Sequence, residues 1–401
     1  MAGTAPLPPG DGEPAPELSH AYERAFHEPV EKFLNLDTWH TGTDLNRIYA
    51  RLQSELENNI ETGIAAEEKV ATTLRQRFFD DLAAWPERPP LAGRWQVTIE
   101  ELKKVHRCTL FTGDVEACDG VVQVHDTLAL TIMQFGVGLI GYRGDEGTWS
   151  CRLFRRDLAG GPSDTYEQAM ALLDVRASVA DQHDSHDLVI AELGRRGLST
   201  FAQRAVLARK SGATWRMGRG SPAPYELLTG SGTMRLVDPA VAVLRELLLE
   251  HQKFVFVSPN TRHRGLLTVG NALGPLEFAV IWPLRSEIEN VVETGHLRGA
   301  QRRIAQDFVA DAGREVVMGV LRVSKWAPPR VFYAPAQREL CAQAATIAMA
   351  DAVLQEHRGY PLLLDMAHQH CESAFGREDF EGPIRAAYAA RGASIAYLGD
   401  S

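Results

Sequence analysis

Two short stretches carry residue types that could hold a metal ion or move a proton. The first is Cys118-Asp119-Gly120, an acidic residue closing an apolar run and followed by glycine. A strand would fix such a carboxylate, and the glycine would let the chain turn away, an arrangement suited to holding a divalent cation. Asp-Gly is also an ordinary hairpin turn, and this motif alone leaves both readings open. The second stretch is Gly359-Tyr360-Pro361-Leu362-Leu363-Leu364-Asp365-Met366-Ala367-His368. Its apolar centre reads as a buried strand that delivers His368 at its far end. A neutral imidazole there could ligate a metal or carry a proton beside a phosphate. A histidine that caps the next helix, or is satisfied by a neighbour, is the alternative.

Elements of two kinds must position these groups. Residues 1–16 are Pro- and Gly-rich with few apolar side chains, the composition of a disordered leader. Residues 17–90 form a helical N-terminal region, with apolar residues at helical spacing amid many charges until Pro86, Pro89 and Pro90. From residue 91 to 401 apolar strand-like runs alternate with helical segments. VEACDGVVQV, the run Leu128 to Tyr142, WSCRLFRRDL, PYELLTGSG, KFVFVSP and LEFAVIWPL read as strands. Helices are expected at 164–180, 186–210, 241–250, 299–312, 336–357 and 378–391, with Gly359 in a C-cap position. The pattern is that of an α/β domain with a mixed central sheet flanked by helices.

The order of the pieces resembles the NurA nucleases, a metal-dependent family that processes DNA ends. The resemblance spans roughly residues 110–392 and is most specific at Gly359-Tyr360-Pro361 and Ala367-His368. It implies a ribonuclease H-like core, with a first strand ending in Asp-Gly, a helix bearing a Glu, a second strand ending in Asp-Gly, and the Tyr-Pro to Ala-His element. On that basis Asp119 is the principal metal carboxylate, His368 a metal ligand or proton carrier, and Tyr360 a phosphate-positioning group. Mn²⁺ or Mg²⁺ is the implied cofactor. DNA, a HerA-like hexameric ATPase and a second copy of the chain are the implied partners. The chain departs from the pattern in three places. Val121 follows Gly120 where a Ser belongs, Gln203 stands where the helix should offer a Glu (Glu192 being the other choice for that metal ligand), and Thr229 stands where the second carboxylate belongs. The alternative reading is a subunit that keeps the fold to bind DNA or regulate the ATPase while its metal site has decayed. An intact site should gather at least three carboxyl groups around Asp119. A decayed one should show Gln203 and Thr229 lining an uncharged pocket.

Between Leu193 and Tyr225 the chain has no Asp or Glu, yet it carries Arg195, Arg196, Arg204, Arg209, Lys210, Arg216 and Arg219. The Gly- and Ser-rich part of this tract, with Trp215, reads as a mobile loop suited to backbone contact and base stacking. A solvated helix face paired with acids elsewhere is the competing reading. Arg262, His263 and Arg264 form a smaller cluster.

Bulk properties set the outer bounds. A net charge of −10 confines any DNA contact to a patch or to a partner's surface. Five cysteines without a CxxC pair argue against a disulfide framework and a structural zinc site, and fit a reducing cytoplasm. The longest uncharged apolar run is about 15 residues, short of the roughly 20 needed to span a bilayer as a helix. No Gly-x-x-x-x-Gly-Lys-Ser/Thr loop is present, so motor activity would have to come from another protein.

Overall fold

The computed structural model describes residues 16–393 apart from 86–87, 128–129, 157–165, 168–169, 171–191, 231–235, 261–263 and 295–296. The leader (all but Pro16), nearly all of the helix expected at 164–180, and Arg262 and His263 therefore lie outside the described residues. The chain divides into two compact units, Met1–Glu68 and Lys69–Ser401. The first holds helix α1 (Pro16–Phe26) and most of the long helix α2 (Leu45–Thr73). Among the described residues no helix is long and apolar enough to cross a membrane.

The second unit is built on one nine-stranded sheet. Its strands are β1 (Gly93–Gln96), β2 (Val115–Asp126), β3 (Leu130–Gly141), β4 (Gly144–Arg156), β5 (Trp215–Arg219), β6 (Phe254–Val257), β7 (Glu277–Pro283), β8 (Val316–Arg322) and β9 (Arg330–Pro335). They lie in the order β1-β7-β8-β9-β6-β5-β2-β3-β4. The stretch β4-β3-β2-β5-β6 is an antiparallel three-strand meander with two parallel strands added beyond β2. This is the ribonuclease H-like core, and β9, β8, β7 and β1 extend it antiparallel.

Both faces of the sheet are covered, which is why strands such as β6 read as unbroken apolar runs. Phe254 and Phe256 point into one core with Leu207, Leu227 and Phe308. Val255 and Val257, the alternate residues, point into the other with Met217, Ala348 and Leu363. Parallel strands need crossovers, and helices supply them. Helix α3 (Glu192–Arg209) precedes β5, and the short α4 (Tyr225–Leu228) comes after it. Near the C-terminus α5 (Arg338–Val353) and α6 (Leu362–Phe375) pack on the second face.

Three segments differ from expectation. PLLLDMAH is not a strand but the start of α6. A short apolar run cannot by itself separate a buried strand from a buried helix. The next residues, Gln-His-Cys-Glu-Ser-Ala-Phe, continue the helix, and Leu363, Ala367 and Cys371 fall on one buried stripe at four-residue spacing. PYELL is likewise a helical turn rather than a strand. The supposed loop around Trp215 is the interior strand β5, with Trp215 and Arg216 buried. Two parallel neighbours, β2 and β6, hold it in the sheet despite its arginines.

Candidate functional site

Asp119 sits inside the twelve-residue strand β2, not at its end, so the hairpin reading of Asp-Gly fails. Gly120 stays in the ladder, paired with Val137. Its purpose is close approach: a Cβ there would lie 2.9 Å from Gln203 Nε2 and 3.0 Å from the Gly136 carbonyl oxygen. The missing side chain lets α3 lie against the strand. The parallel register pairs Cys118 with Gly218, so the next residues, Asp119 and Arg219, stand side by side on adjacent strands.

Helix α6 crosses the sheet from the other direction. Gly136 and Gly138 of β3 make room for it, since a Cβ at these positions would lie 2.3 Å from Phe375 and 3.0 Å from His370. The N-cap residue of α6, Pro361, offers no side-chain cap. Asp351 on α5 supplies one instead, accepting the Leu363 N–H at 2.9 Å and the Tyr142 hydroxyl on its other oxygen. Anchored this way, the helix brings His368 Nδ1 to 3.1 Å from Asp119 Oδ2. The aspartate and histidine motifs, far apart in sequence, thus meet.

Both oxygens of the Asp119 carboxylate are engaged from within the protein. Oδ1 accepts the Gly120 N–H at 2.8 Å, and Oδ2 accepts Arg219 Nη1 at 2.9 Å beside His368. Burial alone would push the Asp119 carboxyl up, but His368 and Arg219 outweigh it and hold it below the usual carboxylate range. In return Asp119 raises His368 above the ordinary imidazole value, against the opposing effect of burial. The centre is therefore a carboxylate held in its ionised form between the Arg219 guanidinium and the His368 ring. Tyr360 lies in the field of the same pair, its hydroxyl buried without a hydrogen-bond partner among the described residues. Burial drives its pKa upward, so it stays a neutral phenol.

Asp119 also lines a cavity of about 810 Å³, together with Arg195, Arg196, Gln203, Arg204, Arg219 and Glu226. Four arginines thus face two carboxylates, the reverse of the chain's overall charge balance. Read as a strand, PYELLTGSG puts Glu226 on the face opposite Thr229, away from the site. In a helical turn it reaches the groove, accepting the Thr200 hydroxyl at 3.2 Å with Arg196 at 3.6 Å. Gln203 lines the groove as the resemblance implied, whereas Thr229 caps α4 and takes no part in the lining. The strand beside β2 ends in Arg219-Gly220, so Arg219 stands beside Asp119 in the sheet.

The basic tract divides by role. Arg195, Arg196 and Arg219 open onto the groove. Arg204 is fully buried and donates to the carbonyls of Arg219, Ser221 and Pro222, with its guanidinium 4.5 Å from the Phe256 ring. Arg209 pairs with Glu246, Arg216 is buried in β5, and Lys210 is exposed at the end of α3. These last three residues are not part of the groove lining. Glu192 opens α3, and its side chain lies outside the described atoms.

A divalent metal does not fit these side chains. Among the described residues no three His, Cys, Asp or Glu side chains come together as a ligand set. Mn²⁺ and Mg²⁺ need several oxygen ligands, while Asp119 has both oxygens committed and the Arg219 guanidinium and His368 ring against it. The expected gathering of three carboxyl groups is absent among the described residues, and the groove is basic rather than uncharged.

No protein-family model and no curated protein matches the chain. Solved structures similar to it include the NurA nuclease from Sulfolobus solfataricus, at 12% identity and a TM-score of 0.42, covering 89% of this chain and 100% of that one. A NurA structure bound to dAMP and manganese is similar at 10% identity and a TM-score of 0.34, covering 79% of this chain and 92% of that one. Endonuclease V from Bacillus subtilis is similar at 9% identity and a TM-score of 0.30, covering 73% of this chain and 91% of that one.

Proposed function

We propose that this chain is a NurA-type protein of DNA metabolism whose groove grips the phosphodiester backbone. One observation carries the reading: Arg195, Arg196 and Arg219 converge on one concave face of an otherwise acidic chain, beside a strand-borne carboxylate. Guanidinium groups suit phosphate oxygens in both charge and geometry. The resemblance in motif order extends the reading to DNA ends, with the chain acting in the cytoplasm as a dimer beside a HerA-like hexameric ATPase, in repair or in defence against invading DNA. Within it the non-cutting, DNA-binding role is the form that the side chains favour, because the groove offers charge to a phosphate and little to a metal.

A second reading, a Mn²⁺- or Mg²⁺-dependent nuclease, is supported by Asp119 and Glu226 lining one groove with His368 against Asp119. Fluorescence anisotropy on labelled duplex and single-stranded DNA across a salt series tests the first reading. Replacing Arg195 and Arg196 with Ala should weaken binding and lower the salt slope by about 2. An unchanged slope and affinity would remove the groove as the DNA site. Cutting of linear DNA in Mn²⁺, abolished by Asp119→Ala and His368→Ala, would establish the second reading.

A further inference from the structure

We infer that Arg219 is a built-in cation at this centre, standing at Asp119 in place of any divalent metal and dedicating the groove to anions. The geometry supports this from three directions. Arg219 Nη1 donates to Asp119 Oδ2 at 2.9 Å, and that same oxygen has His368 Nδ1 at 3.1 Å. The other oxygen is closed by the Gly120 N–H. A metal would have to displace the guanidinium of a residue whose backbone is held in place by strand pairing and by the buried Arg204, which donates to its carbonyl. It would then remain against that positive charge.

Arg219 is not fully spent on Asp119. Its side chain is 39% exposed and forms part of the groove wall, so it can contact an anion while keeping its partner. The Arg219 guanidinium sets a fixed positive charge against Asp119 on the groove wall, which repels a metal and attracts a phosphate.

The inference rests on the groove reading above, and the two can fail separately. Mn²⁺ binding is measured directly on the full chain by electron paramagnetic resonance of free MnCl₂, with no substrate present. Wild type should show no site that depends on Asp119. Arg219→Asp should gain one at least about tenfold tighter than wild type, and Asp119→Asn in that background should remove it. A wild-type Mn²⁺ site lost in Asp119→Asn would overturn the inference. So would a folded Arg219→Asp chain, verified by circular dichroism, that binds Mn²⁺ no better than wild type. If that variant does not fold, Arg219→Ala is read by the same criterion. DNA affinity in EDTA, insensitive to Arg195 and Arg196 yet with wild type free of Mn²⁺, would sink the groove reading and leave the internal cation standing.

Discussion

Replacing Arg204 with Met should cost the fold far more than an ordinary arginine substitution. Its guanidinium is fully buried, and burial pulls its pKa down to about 10. Three hydrogen bonds hold it, at 3.2 Å to the Pro222 carbonyl, 2.9 Å to Arg219 and 2.8 Å to Ser221. Hydrogen bonds from a charged donor are each worth about 1.5–3 kcal/mol, so the three represent on the order of 6 kcal/mol before opposing effects. Stacking on Phe256 adds about 1 kcal/mol or more. Against this, Met removes the cost of burying a charge, several kcal/mol, while nearly filling the volume. A net loss of about 3 kcal/mol is expected, because three carbonyls are left without their donor. At about 2.1 cal/mol/K of unfolding entropy per residue, that corresponds for the unit Lys69–Ser401 to a fall in Tm of roughly 4 °C. Urea denaturation of wild type and variant, followed by circular dichroism, measures it. A loss below about 1 kcal/mol at an unchanged slope would refute the reasoning, since it would mean that the carbonyls of residues 219–222 find other donors at no cost.

The same region yields two further expected outcomes. Asp119→Asn should lower the titration midpoint of His368, read by NMR, because the carboxylate that raises it is gone. In wild type the contribution of Asp119 to stability is present above the unfolded carboxyl value near 3.9 and is lost as pH falls through its lower folded value. That of His368 is present below about 6.5 and is lost as pH rises through its higher folded value. An unmoved His368 midpoint in the variant would show that the two do not interact. Gly136→Ala should destabilise by about 1–3 kcal/mol, since its Cβ would lie 2.3 Å from Phe375. Phe375→Ala in the same chain should recover part of that loss, and strict additivity in the double-mutant cycle would count against a direct clash.

How much of this was legible before folding varies residue by residue. KFVFVSP announces β6, because β-type residues run unbroken between polar flanks. The pairing of Asp119 with His368 was legible only through the order of two motifs, since nothing in either says where a strand and a helix will cross. Strand β5 was hidden by its own composition. Trp-Arg-Met-Gly-Arg has no apolar run, and neighbours on both sides impose its place in the sheet. Gly218 in it is required by Phe256, whose ring atom would lie 2.0 Å from an added Cβ, and no local pattern signals that contact. Nor does any local pattern signal that Arg219 stands beside Asp119, which only the strand register brings about. Glu226 was misjudged because a four-residue helix and a short strand look alike in so few residues.

The sheet's far edge shapes how the chain must be assembled. β1 lies beside β7, with Trp95 opposite Phe278, so a strand made early has a partner made much later. Arg75 and Arg94 wait as well, since both close on the buried carboxylate of Glu277. At a synthesis rate of about 5–20 residues per second, the intervening chain takes roughly 10–40 seconds to emerge. Through that interval the meander β2–β3–β4, whose contacts are local, can form while β1 has nothing to pair with. The groove is therefore assembled late: Asp119 leaves the ribosome near the beginning of this unit, and the helix that brings His368 to it emerges near the end.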